Sequence, residues 1–230
     1  MKKNTYYIAF LLVVQAIFNS TQAAEIPEEV APIQGMETGV VKKISIEKLP
    51  PAVKKIAQDD LEKNSIGKNR QLGNIPDDAI FYKKNYHANI KDVKDILKNL
   101  TFKEANLSST ELSTYAIEGA YPEGPTKNGP WSSFTRVFKR PDGILFMLHE
   151  WDYIGDGGAI VFIDELMNTQ VLDMPARFSV KQSPSGQMLS ELIWATNKKY
   201  LTITVIGDVP TDDANKYNLS WLLRIASAIR

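Results

Sequence analysis

The sequence predicts an α+β fold: an antiparallel sheet in the C-terminal half packed against a C-terminal helix and N-terminal helices. Three observations lead there. Apolar residues recur at helical spacing twice between residues 51 and 100, a period of two takes over from Trp131, and helical spacing returns at the C-terminus. Helices and strands segregated along a chain, rather than alternating, are the signature of α+β architecture. With 43% apolar and 23% charged residues in 230, the composition is that of a globular chain. The absence of cysteine excludes disulfide scaffolds, thiolate metal sites and cysteine nucleophiles. Two histidines cannot build a three-histidine metal site. The 27 basic and 27 acidic side chains cancel, so no net charge draws the chain to nucleic acid.

The chain opens with Lys2 and Lys3, an apolar run of 13 residues from Tyr6 to Phe18, and the small or polar stretch Asn19 to Ala23. This order reads as a secretory signal peptide over residues 1–23, cleaved before Ala24. Thirteen residues are too few for a spanning helix, which needs roughly 20. Removing the segment takes away two lysines and no acid, leaving 25 basic against 27 acidic groups and a net charge of −2. The remaining chain reads as an exported, periplasmic bacterial protein with no membrane span. Residues 24–40, with Pro27, Pro32, Gly35 and Gly39, read as an extended arm, and residues 41–230 as a single α+β domain.

Pro51 suits the first position of a helix whose apolar face carries Val53, Ile56, Ala57 and Leu61. A second helix is predicted from Asn89 as N-cap, with Ile90, Val93, Leu97 and Leu100 on one stripe. Residues 64–80, rich in Gly, Asn and Asp, read as a loop between them. Ile144 to Trp151 is apolar at both alternating sets, which suits a central strand covered on both faces. Gly155-Asp156-Gly157-Gly158 supplies turn conformations that would pair this strand with the run Ala159 to Ile163 as a hairpin. A second hairpin is predicted from Gln187–Thr196 and Lys199–Ile206 around Asn197-Lys198. In it Leu201, Ile203 and Val205 face inward while Thr202 and Thr204 face water. The final helix begins between Thr211 and Asn218 and presents Leu219, Leu222, Leu223, Ala226 and Ile229.

The strongest carboxylate pair is Glu150 and Asp152, two apart on a strand and therefore on one face, beside a turn carrying Asp156. Such a pair can serve as general acid and base, with His149 next to it. The same pair also fits the solvated outer end of a strand leaving the core. His149 reads as a packed strand histidine, since Ser132, Ser133, Ser179, Ser190 and Ser220 lie in no Gly-x-Ser-x-Gly or Ser-x-x-Lys pattern. No His-Glu-x-x-His motif occurs, so no metal or other cofactor is expected. Phe81 to His87 mixes aromatic and basic groups and fits a strand with a wet lysine face. Residues 119–130, half of them Gly or Pro, read as a long loop leading into Trp131. Tyr121 and Trp131 would give it contact surface for a partner.

These observations favour a binding or protein-interaction module without catalysis, acting through Tyr121, Trp131, Glu150 and Asp152. Its partner would be an envelope protein or an apolar ligand held between sheet and helix. The alternative is a hydrolase of envelope polymers using Glu150, Asp152 and His149.

Overall fold

The structure is a computed structural model that describes residues 37–65, 73–74, 92–123, 129–183, 185–211 and 214–229. Among the described residues ten strands form two sheets. They are β1 (Val41–Ile44), β2 (Gly73–Asn74), β3 (Ala116–Glu123), β4 (Ser133–Lys139), β5 (Leu145–Trp151), β6 (Ile160–Ile163), β7 (Thr169–Val171), β8 (Met174–Gln182), β9 (Met188–Ala195) and β10 (Tyr200–Val205). The larger sheet has eight strands in the order β2-β8-β9-β10-β5-β4-β3, with β7 also on β8. All its pairings are antiparallel except the short β2–β8 contact. The helices are α1 (Pro51–Ser65), α2 (Val93–Leu97) and α3 (Leu219–Ala228). The α+β layout read from the sequence is therefore the observed one. None of the described helices is long and apolar enough to cross a membrane.

One face of the large sheet presents Phe138, Phe146, Leu148, Phe178, Leu192, Trp194, Leu201, Ile203 and Val205. Helix α3 covers it with Trp221, Leu222, Ile225 and Ala226, and Leu112 and Tyr115 extend the cover. Asn218 caps α3, its side-chain oxygen accepting from the Trp221 N–H at 2.9 Å. The helix is rotated from the predicted stripe, because Trp221 and Ile225 take the core face while Leu219, Leu223 and Ile229 are only partly buried.

The opposite face carries a smaller layer in which β1 and β6 pair in parallel, Val41 opposite Ile160. Tyr153, Ile160 and Phe162 pack there on Ile193, Ala195 and Tyr200. Helix α1 begins at Pro51 as read from the sequence, and it buries Val53 and Ala57 against Ile46, Leu49, Ile163 and Leu166. Glu165 joins the layer to the chain before α1 by accepting from Ser45 Oγ at 2.6 Å and from the Ile46 N–H at 2.9 Å.

Several elements differ from expectation. The run Ala159–Ile163 does form a strand, but it does not return along β5. Both edges of β5 are already occupied by β4 and β10, so β6 crosses to β1. Thr202 and Thr204 are buried rather than wet. The second helix is five residues long and capped by Asp92, whose carboxylate accepts from Lys94 N–H at 2.7 Å. Its buried residue is Ile96, while Asn89 and Ile90 lie outside the described residues. Of residues 64–80, read as a loop, 64–65 end α1 and 73–74 form the two-residue β2, and the others lie outside the described residues. Residues 24–36 of the arm and Phe81 to His87 also lie outside the described residues.

Candidate functional site

Strand β5 carries Glu150 and His149 to opposite faces of the sheet, and their surroundings differ accordingly. Glu150 is fully buried beside Phe134 and Leu201. Its Oε1 accepts from Arg136 Nη2 at 2.6 Å. Its Oε2 accepts from Lys199 Nζ and from the Ala105 N–H, both at 2.8 Å. Arg136 and Lys199 donate in addition to the Ala105 and Lys103 carbonyls. Two cations and a peptide group thus saturate the carboxylate and tie the chain before Leu107 to the sheet. Both carboxylate oxygens are thereby already taken by donors. The solvated strand end expected for Glu150 is replaced by a buried ion cluster.

Asp152 does not share that face. Strand β5 ends at Trp151, and the Asp152 carboxylate turns back to accept from the Gly155 N–H at 2.9 Å. Asp156 accepts from the Trp151 indole N–H at 2.6 Å. The carboxylate pair of the sequence reading is therefore split between an ion cluster and a turn. Among the described residues no group of three or more His, Asp or Glu side chains could hold a metal ion.

His149 lies on the other face, opposite Thr135 of β4 and next to the Tyr200 ring. Its Nδ1 is 3.1 Å from Thr135 Oγ1 and 3.6 Å from Glu123 Oε1. Its Nε2 is 3.4 Å from Ser133 Oγ. Thr135 Oγ1 donates to Glu123 Oε1 at 3.1 Å. Burial works against the imidazolium, but the charges of Glu123 and Glu150 outweigh it and hold the His149 pKa above its ordinary value. Desolvation likewise opposes the Glu123 carboxylate, and His149 and Thr135 more than offset it, so the Glu123 pKa lies below the usual carboxylate range.

Residues 119–130 are not a loop throughout. Gly119 to Glu123 belong to β3, the last strand of the sheet. A bulge between Ile117 and Gly119, with Gly119 at φ +143°, lets the strand accommodate its glycine. An edge strand also tolerates Pro122. Tyr121 is half-buried beside Val137 and Met147. Trp131, expected as contact surface, is instead buried with Ile96, Ala120 and Phe134. Ile117, not singled out from the sequence, is 55% exposed on this edge.

Arg136, Lys199, Thr135 and Glu123 were also missed, and Ser133 was set aside because it lies in no nucleophile motif. The available signal was Pro141-Asp142-Gly143, a turn sequence that pairs β4 with β5 and sets Thr135 opposite His149. Compared with protein-family models, the curated proteins and the solved structures, the chain shows no significant match.

Proposed function

We propose that this is an exported, periplasmic binding module that captures an extended segment of an envelope protein by adding it to edge strand β3. The observation that carries this reading is the edge itself. Among the described residues β3 pairs only with β4, and it bears exposed Ile117 on one face of the sheet and half-buried Tyr121 and exposed Glu123 on the other. A sheet edge can accept an added strand through main-chain hydrogen bonds, and alternate side chains add selectivity. The bulge and Pro122 limit the length that can pair, which favours a short partner segment over indefinite self-association. A protein partner is preferred to an apolar ligand between sheet and helix, because Phe146, Trp221 and Leu222 already fill that space. The carboxylate-pair hydrolase is not favoured, since Glu150 is committed to Arg136 and Lys199.

The test uses the full chain expressed with its leader. An intact mass beginning at Ala24 supports export, and one beginning at Met1 in the exported fraction overturns it. A photo-crosslinking side chain is then placed at position 117 or, as control, at exposed Leu172 on the β7–β8 turn. A discrete adduct at 117, absent at 172 and weakened by Tyr121→Asp, supports capture at the edge. Uncrosslinked monomer from both positions overturns it.

A further inference from the structure

We propose that Ser133 is a nucleophile toward small acyl esters, with His149 as its general base and Thr135 and Glu123 as positioning residues that set the imidazole tautomer. This goes beyond strand capture and does not depend on it.

The argument is one of proton directions. Thr135 has a single hydroxyl proton, and it is given to Glu123 Oε1 at 3.1 Å, where a carboxylate can only accept. The lone pairs of Thr135 Oγ1 are then left for Nδ1 of His149 at 3.1 Å, so the Nδ1 nitrogen is the donor. A neutral imidazole protonated at Nδ1 carries its lone pair on Nε2. That nitrogen faces Ser133 Oγ at 3.4 Å, and the serine hydroxyl is therefore the donor. The bonds run in one direction, from Ser133 through His149 and Thr135 to Glu123. A nucleophile, a base within reach and a third group orienting the base are the parts of an activated serine, and the first contact is often loose before substrate binds.

The fold supplies these neighbours through register. Thr135 pairs with His149 and Ser133 with Trp151 on adjacent strands, while Glu123 pairs with Ser133 from the other side of β4. Besides Glu123, the groups around the imidazole are the Tyr200 ring, Thr202 opposite it on β10 and, through the sheet, Glu150 with its partners Arg136 and Lys199. With Ser133 6% exposed and the His149 side chain 15%, a bulky acyl group is excluded.

In the reaction, Ser133 Oγ bonds to the ester carbonyl carbon as its proton passes to Nε2 and the C=O π pair moves to oxygen. Collapse re-forms the carbonyl and breaks the bond to the alkoxide, which leaves with the proton from Nε2. Water then attacks the acyl-serine, giving one proton to Nε2. That proton returns to Oγ as the carboxylic acid departs. Ester and water are consumed, and acid and alcohol form. The imidazolium of each step is stabilised by Glu123, 3.6 Å away.

The full-length exported protein is treated with a small alkyl phosphonofluoridate and the adduct is mapped by peptide mass. One adduct on Ser133 is expected, lost in Ser133→Ala. His149→Gln should slow labelling about 100-fold or more. In the wild-type chain labelling should rise with pH through the imidazole titration, and Glu123→Gln should move that midpoint to lower pH. Imidazole nitrogen shifts recorded on wild-type protein above that midpoint should show the Nδ1–H tautomer, a reading that needs no variant to fold. A folded wild-type chain that stays unlabelled, an adduct elsewhere, or the Nε2–H tautomer overturns the proposal.

Discussion

Glu150→Gln tests what the buried ion cluster does. The substitution keeps the shape and one oxygen, so the bond from the Ala105 N–H at 2.8 Å can persist. It removes the charge that faces Arg136 at 2.6 Å and Lys199 at 2.8 Å, whose side chains are only 9% and 16% exposed. Breaking a buried pair from one side costs about 3–5 kcal/mol, because the remaining cations stay desolvated without a countercharge. With a urea dependence of about 2 kcal/mol per molar, a loss of about 4 kcal/mol lowers the unfolding midpoint by about 2 M. The assay is equilibrium urea unfolding followed by tryptophan fluorescence. Replacing the whole cluster by Glu150→Leu, Arg136→Met and Lys199→Met should recover most of the loss, since apolar replacements of buried ion groups are often neutral or stabilising. A Glu150→Gln midpoint within about 0.5 M of wild type would refute the reasoning, as it corresponds to only about 1 kcal/mol. A catalytic role for Glu150 predicts the reverse pattern, with activity lost and stability kept.

Three further outcomes follow from the same structure. Asn218→Ala should destabilise by about 1 kcal/mol through loss of the α3 cap, and Asn218→Asp should restore it, both read from urea midpoints. The His149–Glu123 pair should make stability depend on pH in a defined window. His149, raised above its ordinary 6.5, contributes fully below that pH and loses its contribution as pH rises through the folded value. Glu123, lowered below its ordinary 4.5, contributes above that pH and loses its contribution as pH falls through the folded value. The stability difference between wild type and Glu123→Gln should therefore peak between these limits and shrink as pH rises through the folded His149 value; a difference flat with pH would contradict the assignment. In the turn after β5, Gly157→Ala meets open space at φ +74° and should cost about 1–2 kcal/mol in backbone strain. Gly158→Ala would set a Cβ 2.9 Å from the Tyr153 carbonyl, which the Gly158 N–H itself bonds at 2.7 Å, and should lower the melting temperature further.

Local patterns were legible where a single element decides its own form. Pro51 opens α1, α3 starts at the late end of the expected 211–218 range, and the alternation on either side of Asn197-Lys198 matches β9 and β10. Pairing partners were not legible where another part of the chain decides. Thr202 and Thr204 alternate with apolar residues as a wet face would, yet the layer containing β1 and β6 lies on that side of the sheet. Edge strand β3 was hidden by Gly119 and Pro122, which an edge accepts and an interior strand would not. The Glu150 environment depends on cations 14 and 49 positions away, a separation that no local spacing reveals.

The parallel pairing of β1 with β6 also sets an order of assembly during synthesis. Ile46 reaches its Glu165 partner across 119 positions, and β1 and α1 leave the ribosome before that partner exists. At about 5–20 residues per second the gap lasts about 6–24 s. Throughout that interval the Val53–Ala57 stripe of α1 has only Ile46 and Leu49 to pack on, because Ile163 and Leu166 have yet to emerge. The β1–α1 segment therefore waits for β6 to emerge, and the nascent stretch around Val53 is the natural place for a chaperone to hold it.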